Sequence, residues 1–373
     1  MTKYSSESPV LLLRRSYADG SVDTRIPGWS HHCVQTSPGA LGGGARELHI
    51  PAVQLLEERY QHVAINHYGV AAPDCIAVVA PLRFQGAGIF NGKLWAPGTI
   101  CAWNTNREFN AITPPADLLC VILKRSLLIE HIAQTENLDL ESALLRGPLI
   151  FGSPAVTAAL ATRVTELIVA AFSDWDVTIP AAQQAIRQEL LETIAPLLVE
   201  QLDSGHDDHG NFRHMSNVRR AREVALARPD TPLQVQDLCR ELHISRRTLQ
   251  ASFRAVLGIS PLWYLRTLRL DGARRQLLGG CSVKDVAERW GFWHWSRFSH
   301  DYQRLFGELP SSTLKRAGAI STDLSSAEAP AFAGTTSDGN SRFPYLPPPP
   351  FIKGRTMRPG VEQFDTSAQV LSE

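Results

Sequence analysis

The stretch VQDLCRELHISRRTLQASFR at 235–254 decides the fold of the C-terminal part of this chain. Leu238 and Leu242 share one face of a first helix, and the hydroxyl of Ser245 can cap a second helix after a short turn. Apolar residues then recur at helical spacing on the buried side of that second helix: Leu249, Phe253 and Val256. The pattern predicts two short helices joined by a turn.

The stretch SVKDVAERWGFWHWSRFSHDYQRLF at 282–306 repeats this arrangement. Gly291 can adopt the left-handed backbone that a tight turn between helices requires, whereas His243 must adopt it at the equivalent point of the first stretch. The buried side of the following helix is expected to carry five apolar residues: Trp295, Phe298, Tyr302, Leu305 and Phe306. Gly307 and Pro310 are expected to end that helix.

A single helix is predicted between the two units. Ser260 and Pro261 are residue types typical of an N-cap and a first helical position, and Gly279 with Gly280 ends the helical pattern. At 1.5 Å per residue, about 18 residues span about 27 Å, close to the rise of about 34 Å for one turn of B-DNA. We therefore expect the second helix of each unit to reach successive major grooves from one side of a duplex.

Polar side chains occupy the outward faces of both second helices. On the first, the outward residues are Arg247, Ala251 and Arg254, flanked by Arg246 and Gln250. On the second, they are Ser296, His300 and Gln303, flanked by Arg297 and Ser299. Arginine and glutamine donate hydrogen bonds in the geometry that guanine and adenine edges require in a major groove.

The region from 215 to 317 resembles the C-terminal DNA-binding domain of the AraC/XylS family of transcription regulators. The resemblance rests on ordered matches along its whole length, which include 245–250, Phe253, 258–261, Arg269, Leu270, Ala273, Leu277, Val286, Ala287, Gly291, Phe292, Phe298, 305–307 and Pro310. The segments 283–294 and 301–306 are most similar to the ethanolamine-utilisation branch of that family.

The resemblance implies that the exposed faces of the two second helices contact bases, and it adds Trp295 to the candidates. Ala251 departs from the family, in which many members carry arginine at this position. The first helix is therefore expected to contact fewer bases, or a thymine methyl group. The resemblance also implies a small-molecule effector, a homodimer, contact with RNA polymerase and, more often than not, activation of transcription.

Charge is unevenly distributed along the chain. The region 216–317 has 18 Lys and Arg against 9 Asp and Glu, although the whole chain has 37 of each. A basic module joined to an acidic remainder is typical of a phosphate-binding domain beside a domain that does not bind nucleic acid.

The six cysteines are far apart and form no Cys-x-x-Cys pair. We interpret them as free thiols in a reducing cytoplasm. An export signal is not apparent, and no run approaches the 18 apolar residues of a membrane span. The sequence predicts a cytoplasmic, nucleoid-associated protein without a membrane partner.

A β pattern precedes the helical region. Asn91-Gly92 is a strong hairpin signal, because both residues accept positive φ. Strand candidates are Glu47–Ile50, Tyr60–Tyr68, Cys75–Val79, Ile89–Trp95, Thr99–Trp103 and Leu118–Leu123. We predict a small antiparallel β-barrel or sandwich, which makes the chain α+β overall, and barrels of this size commonly hold one small ligand.

Helical periodicity returns after Lys124. The helix candidates are Arg125–Ala133, Leu138–Leu145, Ala155–Phe172 and Ala181–Leu202, the last opened by Pro180 and kinked at Pro196. The predicted domain order is a disordered arm at 1–28, a sensor and dimerisation domain at 29–202, a linker at 203–214, an all-α double helix-turn-helix domain at 215–317 and a disordered tail at 318–373.

Aromatic and polar residues around the hairpin are the candidates for a ligand pocket: Arg83, Trp95, Trp103, Glu108 and Phe109. Neither a metal site nor a cofactor is predicted. His62 and His67 lie in a strand region, but the His-x-His pair and following Glu of a barrel metal site are missing. The histidines of the 203–214 linker lack a scaffold that could fix coordination geometry.

The sequence favours a sequence-specific transcription regulator, not an enzyme, that controls ethanolamine utilisation or related catabolic genes. One alternative is a DNA-binding domain fused to a barrel enzyme or an alkyl-transfer repair protein. Such a repair protein needs an exposed reactive cysteine, and Cys33, Cys75, Cys101 and Cys120 lack a Pro-Cys-His-type context. Another alternative is an architectural DNA-binding protein that responds to no ligand.

Overall fold

The computed structural model describes residues 10–17, 26, 28–135, 148–173, 175–202 and 212–326. The predicted helix Leu138–Leu145, most of the 203–214 linker and the tail from 327 onward lie outside these residues.

Two antiparallel sheets form the N-terminal domain. The strands are β1 (Leu11–Ser16), β2 (Ser30–Gln35), β3 (Gly42–Ile50), β4 (Val53–Gln61), β5 (Ile65–Val70), β6 (Cys75–Phe84), β7 (Gly88–Phe90), β8 (Lys93–Trp95), β9 (Ile100–Asn104), β10 (Phe109–Thr113), β11 (Ala116–Lys124) and β12 (Leu149–Phe151). One sheet has the order β1-β3-β4-β11-β6-β9-β12 and the other β2-β5-β10-β7-β8. The predicted antiparallel barrel or sandwich is confirmed.

The hairpin between β7 and β8 turns at the predicted residues. Asn91 has φ of 49° and Gly92 has φ of 79°. Positive φ at both central residues matches the right-handed twist of the two flanking strands, which explains why this dipeptide closes the hairpin.

An aromatic core lies between the two sheets. Buried side chains from both sheets meet there, among them Tyr60, Phe90, Trp95, Trp103 and Phe109. Because successive residues of a strand point to opposite faces, the outer faces of the same strands need separate partners.

Three helices cover the outer face of the seven-stranded sheet: α1 (Arg125–Thr135), α2 (Pro154–Ser173) and α3 (Pro180–Leu202). By length and composition α2 is the one helix among the described residues that could cross a membrane. Its residues Leu160, Val164 and Ile168 are buried in the core that the helices share with this sheet. That packing accounts for the apolar composition of α2.

A helical domain covers the outer face of the five-stranded sheet. Its helices are α4 (Phe212–Ala227), α5 (Val235–Leu242), α6 (Arg246–Leu257), α7 (Pro261–Leu278), α8 (Val283–Arg289), α9 (Trp295–Phe306) and α10 (Pro310–Ser326). Val34 and Tyr68 of the sheet belong to the same buried cluster as Phe253 and Tyr264 of the helices. The predicted α+β organisation is therefore confirmed.

Four boundaries differ from those predicted from the sequence. Residues Leu11–Ser16 pair with β3, so the expected disordered arm is wrong for this segment. The expected strand Tyr60–Tyr68 is split into β4 and β5, because His62 adopts a φ of 67° between them. Helix α4 begins inside the expected linker, and α10 continues to Ser326, beyond the expected start of the tail.

Candidate functional site

The first helix-turn-helix unit is formed by α5 and α6. His243 closes α5 with a φ of 54°, and the Ser245 side chain accepts a hydrogen bond from the backbone N–H of Thr248. These two local features set the angle at which α6 leaves the turn. Both were expected from the sequence, because each depends on one residue and its immediate neighbours.

Buried residues fix the rotation of α6 about its axis. Leu249, Phe253 and Val256 are fully buried in the core of the first unit. The opposite face is exposed and carries four polar candidates and a small residue: Arg246, Arg247, Gln250, Ala251 and Arg254. The helix therefore presents a continuous polar face to solvent, as expected.

The second unit is formed by α8 and α9. Gly291 has φ of 67°, and a Cβ atom there would lie 2.4 Å from the carbonyl oxygen of Asp230. The turn therefore requires glycine for both its backbone conformation and its close packing. Ser282 caps α8 by accepting from the backbone N–H of Asp285.

The exposed face of α9 carries Ser296, Arg297 and His300, with Ser299 half-buried beside them. Phe298 and Tyr302 are buried and hold this orientation. The expectation that Trp295 lies on the buried side is wrong: its exposed fraction is 49%. Trp295 is the first residue of the helix, so it projects beyond the core that buries the later turns.

Sequence reasoning missed Trp293, which is 64% exposed in the turn immediately before α9. A large aromatic residue two positions before the predicted helix was the available signal. Together with Trp295 it extends the candidate surface towards the start of α9.

Helix α7 joins the cores of the two units. Tyr264 and Leu268 are buried in the first core, and Leu270 and Leu277 in the second. Arg269 donates two hydrogen bonds of 2.9 Å to the carbonyl oxygens of Trp290 and Gly291. This arginine fixes the turn of the second unit directly to the connecting helix.

Residues 238–316 match the family described as helix-turn-helix domain. A probable thc operon regulatory protein of Rhodococcus erythropolis is 36% identical over 102 residues, which is 26% of this chain and 31% of that protein. The helical module is an AraC-type helix-turn-helix domain.

Two further similar proteins also match less than a third of this chain. The XylDLEGF operon transcriptional activator 1 of Pseudomonas putida is 38% identical over 77 residues, or 20% of this chain and 23% of that protein. A crystal structure of a probable AraC family regulator from Rhodopseudomonas palustris has 32% identity over 27% of this chain and 97% of that chain, with a TM-score of 0.26. The chain spans less than a third of the length of these two curated relatives.

The N-terminal domain encloses a cavity between its two sheets. Its walls include Trp29, Trp95, Trp103 and Phe109, so three of the five predicted pocket residues line it. The indole N–H of Trp103 has no hydrogen-bond partner among the described residues. The cavity therefore offers aromatic faces and one buried donor.

Glu58 is the acidic group of the cavity wall. Burial raises the pKa of Glu58 to about 7, although Tyr60 lowers it by donating a hydrogen bond of 2.8 Å to the Glu58 carboxyl. This carboxyl titrates near neutral pH.

The other two pocket candidates lie elsewhere. Arg83 is exposed on β6 and pairs with Asp117 at 3.1 Å, because its position in the strand points away from the barrel interior. Glu108 turns towards the AraC-type domain, where its carboxylate accepts from Arg222 at 2.6 Å. Glu108 precedes Phe109 by one residue, and neighbouring residues of an extended chain point to opposite sides.

A second group in the barrel interior was not expected. His31, Cys33 and His67 bring together three ligand-type atoms: the two histidine nitrogens are 3.3 Å apart, and the sulfur is 3.4 Å from each. Burial lowers the pKa of His31 well below its usual value, with repulsion from His67 adding to it, and burial lowers the pKa of His67 to about 3. Both imidazoles are therefore neutral at pH 7.

His67 was not predicted to have ligand-type neighbours, and the structure places His31 and Cys33 beside it. The available signal was the His31-x-Cys33 spacing, which places both side chains on one face of a strand. The third member could not be found this way, because only the pairing of β2 with β5 brings His67 opposite Cys33.

The sheet and the AraC-type domain are joined by buried polar contacts. Tyr264 donates to the Asn66 side chain at 3.0 Å, and the Trp263 indole donates to the carbonyl oxygen of Thr36 at 2.8 Å. The Arg222 guanidinium lies over the Tyr68 ring, 3.6 Å from its centroid. These contacts connect the barrel wall to helices α4 and α7.

Proposed function

We propose that this chain is a sequence-specific DNA-binding transcription regulator whose barrel domain binds a small effector. The observation that carries the proposal is the pair of exposed polar faces on α6 and α9, each fixed in rotation by a buried core. One 18-residue helix, α7, connects the two units. Two such faces on one chain suit two neighbouring segments of major groove.

Binding to randomised duplexes followed by sequencing, with affinities measured by fluorescence anisotropy, tests this function. The selected site should bind roughly a thousand-fold or more tightly than a scrambled duplex at the same salt concentration. Arg247→Ala should weaken binding to that site roughly 5- to 150-fold and relax the preference at one base pair.

Arg83→Ala is the matched control, since it also removes one exposed arginine, but from a strand of the barrel. Its affinity for the selected duplex should equal that of the unaltered protein. Equal binding of selected and scrambled duplexes, or equal losses in Arg247→Ala and Arg83→Ala, would contradict sequence-specific recognition through α6.

The effector that we propose is a small organic amine, with ethanolamine as the first candidate because of the sequence resemblance. Aromatic faces attract cations, and Trp29, Trp95, Trp103 and Phe109 line the cavity together with the Glu58 carboxyl. The unpartnered indole N–H of Trp103 could bind the hydroxyl oxygen. Ethanolamine should raise the melting temperature of the protein but not that of Glu58→Gln, while glycerol should affect neither.

We further propose that the protein activates transcription through contact with RNA polymerase, forms a homodimer and resides with the nucleoid in the cytoplasm. In-vitro transcription from a promoter that carries the selected site should rise when the protein is added. Sedimentation equilibrium at micromolar concentration should give twice the mass of one chain. A fall in transcript would show repression instead.

The alkyl-transfer alternative receives little support from the thiols. Burial raises the pKa of Cys75 to about 12 and raises the pKa of Cys101 and Cys120 well above the usual value. These three thiols therefore stay protonated, whereas a reactive cysteine must present a thiolate.

A further inference from the structure

The triangle of His31 Nε2, Cys33 Sγ and His67 Nδ1 has the dimensions of one face of a coordination tetrahedron. For zinc, bonds of about 2.0–2.1 Å to nitrogen and about 2.3 Å to sulfur imply separations of about 3.3 Å between nitrogens and about 3.6 Å between nitrogen and sulfur. The corresponding distances here are 3.3 Å and 3.4 Å. A metal ion could bind with side-chain shifts of a few tenths of an ångström.

Hydrogen bonds can join these three atoms only as an open chain. A neutral imidazole nitrogen either donates or accepts, and a thiol has one proton, so three single-proton bonds cannot close a ring around these three atoms. A central cation can accept a lone pair from each of them at once. A bound cation would therefore engage all three atoms at once, whereas hydrogen bonds link them only in pairs.

Neighbouring groups orient His67 for this role. Its Nε2 lies 3.1 Å from the hydroxyl of Thr113. When Nε2 carries the ring proton and donates to Thr113, Nδ1 keeps its lone pair directed at the triangle. Metal-binding histidines commonly have their other ring nitrogen fixed in this way.

The cavity lies next to the triangle, and its wall carries one acidic side chain. His31 and His67 are part of the cavity wall, together with Glu58. Binding of a divalent ion converts the Cys33 thiol into a bound thiolate and releases one proton to solvent, so the site gains one net positive charge. A Glu58 carboxylate in the same cavity balances that charge.

The strands that carry the triangle also carry the contacts to the AraC-type domain. On β2, His31 and Cys33 face the barrel interior, while Val34 lies in the core shared with the helices. On β5, His67 faces inward, whereas Tyr68 lies outward beneath Arg222. A shift of either strand on metal binding would therefore move residues that touch α4 and α7.

We propose that the barrel binds one zinc-class divalent cation through His31, Cys33 and His67, and that its occupancy changes the DNA affinity of the AraC-type domain. The first statement stands on the geometry of the barrel alone. The second rests on the proposed function.

Metal binding is tested with full-length protein that has been treated with a chelator, desalted and kept reduced. Competition with a fluorescent zinc indicator and elemental analysis should give one zinc ion per chain. Substitution with cobalt(II) should give a thiolate-to-cobalt charge-transfer band and the visible bands of a tetrahedral site. Cys33→Ser should lose the charge-transfer band, and His67→Ala should lose the one-ion stoichiometry.

Two control variants separate this site from other ligands. Cys120→Ser removes a different buried thiol from the same cavity wall, and a double His206→Ala, His209→Ala variant removes two histidines of the linker. Both should keep one ion and the cobalt spectrum. Zinc binding that survives in Cys33→Ser, or a cobalt spectrum of the unaltered protein without a thiolate band, would overturn the site even if Cys33→Ser folds poorly.

Control of DNA binding is measured separately, as affinity for the selected duplex with zinc and with chelator. The unaltered protein should differ by 10-fold or more between the two conditions, and His67→Ala should not differ. Zinc binding without any change in DNA affinity would overturn the proposal that zinc controls DNA binding, while the proposed zinc site would remain supported. Zinc binding with no preference for any duplex would instead defeat the proposed function.

Discussion

Replacement of Arg222 by alanine should uncouple the barrel from the AraC-type domain. Arg222 is 5% exposed, donates to Glu108 at 2.6 Å and lies over the Tyr68 ring at 3.6 Å. Loss of one partner from a buried ion pair typically costs about 3–5 kcal/mol. The Glu108 side chain keeps 19% exposure and a second arginine, Arg219, at 3.6 Å, so we expect the lower end of that range.

The contact with Tyr68 adds to this loss. A desolvated cation over an aromatic ring contributes about 1–2 kcal/mol. Arg222→Ala should therefore lower the free energy of unfolding by about 4 kcal/mol. Urea unfolding followed by circular dichroism and tryptophan fluorescence measures the change, and hydrogen exchange should show faster exchange in β5 and α4.

Arg219→Ala is the matched control, because Arg219 lies on the same helix and faces the same carboxylate. Its side chain is 41% exposed, so the expected loss is below about 1 kcal/mol. A double-mutant cycle between Arg222→Ala and Glu108→Ala should give a coupling energy of about 2 kcal/mol. Equal losses in the two arginine variants, or a coupling energy near zero, would refute the assignment of Arg222 as the buried connector.

Three other substitutions have defined outcomes. Gly272→Ala places a Cβ atom 2.0 Å from the ring of Trp290. The free energy of unfolding should therefore fall by about 1–3 kcal/mol, which a lower melting temperature would show. An unchanged melting temperature would show that the ring can move. Thr113→Val removes the partner of His67 Nε2 and should weaken zinc binding about 10- to 100-fold; no change in the zinc titration would show that Thr113 does not orient that ring. Because burial raises the folded-state pKa of Glu58 from 4.5 to about 7, the native state holds this proton more tightly, and stability should fall as pH rises from 4.5 to 7. Glu58→Gln should lack this part of the pH dependence in chelator-treated protein, and identical pH profiles of melting temperature would contradict the shift.

Local signals made the AraC-type domain predictable from its sequence. The cap at Ser245 and the glycine turn at Gly291 depend on residues within a few positions of each other. Helical spacing then placed Phe253 and Phe298 inward and hence Arg247 and the other polar candidates outward. The prediction that Trp295 is buried was wrong. Helical periodicity indicates which way a side chain points about the helix axis, but not whether the core extends as far as the first turn.

The barrel was less predictable because its pairings connect distant parts of the chain. The segment Leu11–Ser16 alternates weakly, and its pairing with β3 is what makes it a strand. Trp95 and Trp103, the aromatic residues predicted near the hairpin, do line the cavity, and their contact with a ligand stays a prediction. Glu108 was predicted to line the cavity, but it lies one residue before Phe109 and points to the opposite side. The approach of His67 to Cys33 depends on the pairing of two strands whose residues are 34 positions apart, which no local pattern contains.

The strands β2, β5 and β10 form a wall with two distinct faces, and through this wall the proposed barrel ligand would affect DNA binding. Its inner face carries His31 and His67, and its outer face carries Tyr68. His67 and Tyr68 are adjacent residues of one strand. A movement of the His67 backbone perpendicular to the sheet would therefore also move Tyr68. If the two faces are coupled in this way, Arg222→Ala should abolish the effect of zinc on DNA affinity while leaving zinc binding intact. Loss of both together would show instead that the substitution disrupts the barrel itself.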